Sequence, residues 1–189
     1  LRSRGVDMLF HPGTHDMVAY DMAWGGANHP SIPIYLGANS GHGKKGHLKI
    51  ERDQQNKAAL LLRHFFPDEF TETLLSPPAI ETEVKNDVLR VTVRFPPNAR
   101  EETGRIWWIN NRGPDGSPRY LKELIPDANS KEMTRDMKKD VWTTEIKIDS
   151  SASRIDLFSN HRKTMKYRDL IYNTYISSPY TRVELSKSK

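Results

Sequence analysis

The chain contains no cysteine. That excludes disulfides, thiolate metal sites and a cysteine nucleophile. It leaves the compartment open, because exported proteins can also lack cysteine. No apolar run approaches the ~20 residues that a membrane-spanning helix needs, so no membrane span is expected. Charge of one sign is nowhere concentrated: 29 Lys and Arg are interleaved with 24 Asp and Glu, for a formal charge of +5. The basic clusters, Lys44-Lys45 to Lys49, Arg162 to Lys166 and the Lys187/Lys189 tail, are short. A nucleic-acid footprint needs a concentrated stripe, so no nucleic-acid partner is expected. The start, Leu1-Arg2-Ser3-Arg4, carries neither an initiator Met nor a signal-peptide pattern. It reads as the interior of a longer protein, with any targeting segment upstream. No internal repeat is evident.

What is present divides the 189 residues in two. Hydrophobic residues make up only 36%, a balance that fits much surface relative to core and permits two small units. In the first, Val6 to Phe10 is a short apolar run stopped by Pro12-Gly13, which predicts a buried strand and a sharp turn. Ile32 to Leu36 repeats the pattern and ends at Gly37, with Pro33 arguing for a sheet edge. Between them, Met17 to Trp24 reads as a short helix or ordered loop, broken by Gly25-Gly26. From about Ile50 to Phe66, Ala58 to Leu62 with Phe65 and Phe66 oppose Glu51, Asp53, Gln54, Gln55 and Lys57. Acids early, Arg63 and His64 late, and Pro67 beyond predict a helix. Strand, loop, strand, loop, helix is an α/β order.

Residues 69–78, rich in Thr, Ser and Pro, read as a linker between a unit at 1–68 and another at 79–189. Beyond it the period becomes two. Ile80 to Val84, Val88 to Phe95, Arg105 to Ile109, Tyr120 to Ile125, Val141 to Ile148, Arg154 to Ser159 and Tyr180 to Leu185 read as strands. Asn86-Asp87 suits a hairpin turn, and Ser159 to Lys163 reads as a tight polar turn. Some seven short strands predict an antiparallel, immunoglobulin-like β-sandwich. Trp107 and Trp108, adjacent on one strand, must face opposite ways. One belongs to the core; the other is a ligand platform or faces the first unit.

The chemistry-bearing residues lie in the two early loops. Asp16 follows Gly13-Thr14-His15, and His42 sits in Asn39-Ser40-Gly41-His42-Gly43. A triad base needs a carboxylate to fix its tautomer, and two strand ends one crossover apart can supply the pair. Taken singly, each is an ordinary loop or cap residue. His15 and Trp24 are the candidate site-lining neighbours. His11, His15, Asp16, His29, His42 and His47 are dense enough to raise zinc. No His-Glu-x-x-His element exists, however, and no metal or cofactor is expected.

These two loop motifs resemble the acid loop and the histidine loop of serine-type α/β-hydrolases, and the segment from Val6 to Phe66 resembles their last two strands and final helix. With a sandwich appended, the layout is similar to that of the PhoPQ-activated pathogenicity-related proteins. Dienelactone-hydrolase-like and prolyl-oligopeptidase-like esterases are similar as well. The resemblance implies an exported serine hydrolase of esters or amides, with Asp16 orienting His42. It also implies that the nucleophile and oxyanion loop lie in an upstream portion of the same protein, since both precede the acid in that fold. Without them this chain alone is expected to be inactive. The other reading, from a different class, is a noncatalytic glycan- or protein-binding module on a degenerate scaffold.

Overall fold

The structure is a computed structural model that describes residues 8–15, 32–41, 47–113 and 124–185, with the backbone alone at 47–50. Nine strands and one longer helix are described: β1 (Ala79–Lys85), β2 (Val88–Arg94), β3 (Thr103–Asn110), β4 (Ser130–Glu132), β5 (Thr134–Asp136), β6 (Val141–Lys147), β7 (Arg154–Tyr167), β8 (Leu170–Ser177), β9 (Thr181–Glu184) and α1 (His47–Phe65). One sheet runs β1-β2-β6-β5; the other runs β4-β3-β7-β8, with β9 also on β7. Every strand pairing is antiparallel. Met133, between β4 and β5, carries the chain from one sheet to the other.

The alternation in Val88–Arg94 shows why the sheets stack. Leu89, Val91 and Val93 are fully buried, while Arg90 and Arg94 are exposed. Across the sandwich they meet Ile106 of β3 and Ile155 and Leu157 of β7. Each such side chain contributes about 1.5–3 kcal/mol by leaving water. Asn86 turns the β1–β2 hairpin at φ 55°, a left-handed conformation that Asn tolerates.

The expected α/β-hydrolase portion is corrected by this architecture. The described residues are nearly all β, and no multi-helix α/β sheet is among them. Of the two early strands, what forms is a narrow parallel contact with isolated bridges Phe10↔Ile34 and Gly13↔Gly37. It adds no layer of its own. Instead it lies on the outer face of the second sheet, where Leu36 packs with Phe158, Tyr180 and Ile125. Gly13 is needed there: a Cβ on it would lie 2.0 Å from the Ser40 carbonyl oxygen. Gly13→Ala is expected to cost about 3 kcal/mol by forcing the two backbones apart, measured by urea denaturation.

The helix is where the sequence places it, but its buried face differs. Leu61, Phe65 and Phe66 are exposed, while Ala59 is buried as expected and the polar Asn56 is buried beside it. Its acids come no earlier than the second turn. The reason lies in β8, an edge strand. The Asn56 side chain imitates a neighbouring strand: its Oδ1 accepts the Tyr175 N–H at 2.7 Å and its Nδ2 donates to the Tyr175 carbonyl at 3.1 Å. Gln55 accepts the Asn173 N–H at 3.0 Å, and the Ile34 carbonyl accepts that of Ser177 at 2.7 Å. An open edge is thus closed by side chains. Asn56→Ala strands two backbone groups and is expected to lower stability by about 2–3 kcal/mol, read as a shift in the urea midpoint.

The polar run Ser159 to Lys163 is not a turn. It continues β7, which extends to Tyr167. His161 faces the core, against Phe95, Trp142 and the bare Gly104 backbone. Its Nε2 shares a hydrogen bond with Ser159 Oγ at 2.8 Å. Burial pushes its pKa down to about 3, the Thr103 carbonyl offsetting this only slightly. The folded value lies below the unfolded one, so the unfolded chain binds the extra proton between about pH 6.5 and 3. Stability is therefore expected to fall as pH drops through 6.5. His161→Gln should flatten the pH dependence of Tm between pH 7 and 5, where surface carboxylates stay ionised.

Candidate functional site

Of the residues singled out by sequence, Asp16, Trp24 and His42 lie outside the described residues. His15 is described. It is buried at 2% exposure, and its Nδ1 shares a 2.8 Å hydrogen bond with Thr14 Oγ1. The His15 N–H donates to the Ser40 carbonyl at 2.9 Å, so the backbones of the two early loops do meet. His11, also described, is 3.2 Å from Asp53 of the helix through Nδ1. Among the described residues no group of three or more His, Cys, Asp or Glu is placed to hold a metal ion.

The loop at Thr14 is tied to the sandwich by a buried chain of polar contacts. Arg112 donates to the Thr14 carbonyl at 2.5 Å and to the Tyr180 hydroxyl at 2.9 Å. That hydroxyl donates to Asp156 Oδ2 at 2.8 Å, and Arg182 grips both Asp156 oxygens at 2.6 and 2.8 Å. Burial raises the Tyr180 pKa well above the phenol range, so it remains a donor. This network fixes the loop.

The open site is at one end of the sandwich. A cleft of about 930 Å³ lies between the β1–β2 hairpin tip, the end of β3, the β6–β7 connection and the end of β9. Register decides which tryptophan reaches it. Trp107 pairs with Phe158 and Trp108 with Leu157. Phe158 belongs to the outer cluster beneath Leu36, and Leu157 to the core between the sheets. Trp107 is therefore covered by the early segment, with the Arg105 guanidinium 5.1 Å from its ring. Trp108, half-buried on the core, lines the cleft.

Around Trp108 stand Asn86 and Asp87 from the hairpin, Asn110 from β3, and Asp149 from the β6–β7 connection. The connection is rigidly held. Asp149 Oδ1 accepts the N–H and the hydroxyl of Ser151 at 2.8 and 2.6 Å. Those two bonds hold its carboxyl below the usual carboxylate range. Asn111 Oδ1 accepts the Ser153 N–H at 2.7 Å, and the Ile148 N–H donates to the Asp87 carbonyl at 2.8 Å. The hairpin tip and the connection are thereby joined. Asn110 Oδ1 is buried and has no hydrogen-bond partner among the described residues. An aromatic face beside preset amide and carboxylate groups can take a ligand with one apolar face and a hydroxylated edge. The sequence carried a signal for Trp108 and for the Asn86 turn. It carried none for Asn110, Asp149 or Glu184, which come from the end of β3, the β6–β7 connection and the end of β9.

No protein-family model matches the chain, and no curated protein matches it. Among solved structures it is similar to a family 56 carbohydrate-binding module, a β-1,3-glucan binding domain, at 10% identity and a TM-score of 0.31. The match covers 53% of this chain and 95% of that one. A likeness of that size carries no argument about ligand. The resemblance to serine α/β-hydrolases, with its esterase activity and triad, is corrected: the described architecture is a β-sandwich with one helix.

Proposed function

We propose that the chain is a noncatalytic glycan-binding module and that the sugar seats in the end cleft at Trp108. The observation that carries this reading is the half-buried Trp108 indole, which lines the cleft among the amides of Asn86, Asn110 and Asn129 and the carboxylates of Asp87 and Asp149. A pyranose presents a C–H face, which stacks on the ring, and hydroxyls, which donate to the carboxylates and accept from the amides. The cleft has the size of a binding pocket, and its walls are tied together before any ligand arrives. Titration calorimetry against soluble neutral oligosaccharides, β-1,3- and β-1,4-linked glucans among them, tests it. Saturable binding that weakens roughly tenfold in Asn110→Ala is expected, the loss of one amide contact to the sugar. A folded chain that binds no neutral glycan would remove the reading.

A further inference from the structure

We infer that the end cleft selects an uncharged glycan chain of several units whose hydroxyls are free, and rejects acidic or O-alkylated ones. This rests on the glycan-binding reading and asks which glycans qualify. The lining is rich in acceptors. Asp87, Asp149 and Glu184 contribute carboxylates, beside the amides of Asn86, Asn110 and Asn129. Lys147 is the one lining side chain that is a cationic donor among the described residues. The Asp149 carboxylate is kept ionised by Ser151. Arg154 pairs with Glu184 at 3.9 Å, beyond hydrogen-bond distance, so the carboxylate oxygens can still accept from a ligand hydroxyl.

An ionised carboxylate accepts and never donates. The three carboxylates match vicinal hydroxyls, which donate, and are mismatched to a uronate, sulfate or carboxymethyl group on two counts. These groups bring no donor, and they place like charge in a site partly screened from water. O-methylation removes the donor without adding charge and leaves the wall's acceptors desolvated and unpaired. The volume, about 930 Å³, lies near the upper end of the range for pockets that hold a drug-sized molecule, roughly 300–1,000 Å³. That is room for a run of sugars rather than one.

The test compares one neutral glucan oligosaccharide with its O-methylated and carboxymethylated derivatives and with free glucose, by calorimetry on the whole chain. The unmodified oligosaccharide is expected to bind at least roughly tenfold more tightly than each of the other three. Glu184→Gln and Asp87→Asn, both surface changes, are expected to recover part of the carboxymethyl-glucan affinity while weakening the unmodified one. If the unmodified glucan binds and the carboxymethylated or methylated form binds as well, the selectivity inference is overturned and the module reading stands. If no form binds, the module reading itself has failed.

Discussion

Trp108→Ala is expected to abolish glycan binding, weakening it about 100-fold or more, while Trp107→Ala leaves it unchanged. The two residues are neighbours of the same type on one strand and are both half-buried. A difference between them cannot come from composition. It comes from register: Trp108 opposes Leu157 and lines the cleft, and Trp107 opposes Phe158 beneath the early segment. A large aromatic at the centre of a site is the type of residue whose truncation costs 2 kcal/mol or more in binding, about 30-fold, and loss of the ordered platform adds to it. Either truncation also costs stability, about 3 kcal/mol, because each ring packs on a buried cluster. Trp108→Phe separates the two effects. It keeps an aromatic face and most of the packing, so it should bind within about tenfold of the native chain. Tm values measured alongside the affinities would show that each variant is folded.

The second large effect is expected at Asp156. Its carboxylate is fully buried, and it accepts two bonds from Arg182 and one from Tyr180. Asp156→Ala leaves the Arg182 guanidinium buried without its counter-charge. That costs about 3–5 kcal/mol, whereas removing both charges together costs far less. For a chain of this size it corresponds to roughly 10 °C in Tm. The double variant Asp156→Ala/Arg182→Met is expected to recover most of the loss. The Tyr180 hydroxyl and Arg112 lead from Asp156 to the Thr14 carbonyl, so the single variant should also loosen the early loop. Faster amide exchange at His15, whose N–H is bonded to Ser40, would report it. A loss below about 1 kcal/mol would contradict the account of this network.

Sequence reached the sandwich by local physics and missed where distant partners decide. The period-two runs of β2 and β6 bury alternate side chains as read, and the Asn86 turn is present. The tail of β7 was unreadable because its polar residues look like a turn. Ser159 is buried in a strand with its N–H donated to Ser178 Oγ, 19 residues away, and its hydroxyl bonded to His161. Lys163 is buried because Glu72 and the Thr73 carbonyl meet its ammonium. Leu61, Phe65 and Phe66 gave the helix an apolar stripe, yet the face that docks is chosen by the open edge of β8 and by Asn56. The hydrolase expectation failed for a similar reason. Two glycine-ended apolar runs are real features, but neither the α/β order read from them nor the larger sheet that the resemblance implied is there: the described residues hold only two isolated parallel bridges. As for the cleft, alternation said that one tryptophan must face away from the other. Which one meets solvent depends on the β3–β7 register and on the covering Leu36 segment, neither of which is a local property.

The claim at the centre is that the Trp108 cleft is the ligand site, and its position can be read directly. The measurement is a titration of isotopically labelled protein with a neutral glucan oligosaccharide, followed by two-dimensional NMR of backbone, indole and side-chain amide signals. The account predicts shifts that saturate together at the Trp108 indole, the Asn110 and Asn86 amides and the Asp149–Ser151 backbone, with the Trp107 indole unmoved. Shifts confined to another face, or none at a concentration where calorimetry records binding, would contradict it.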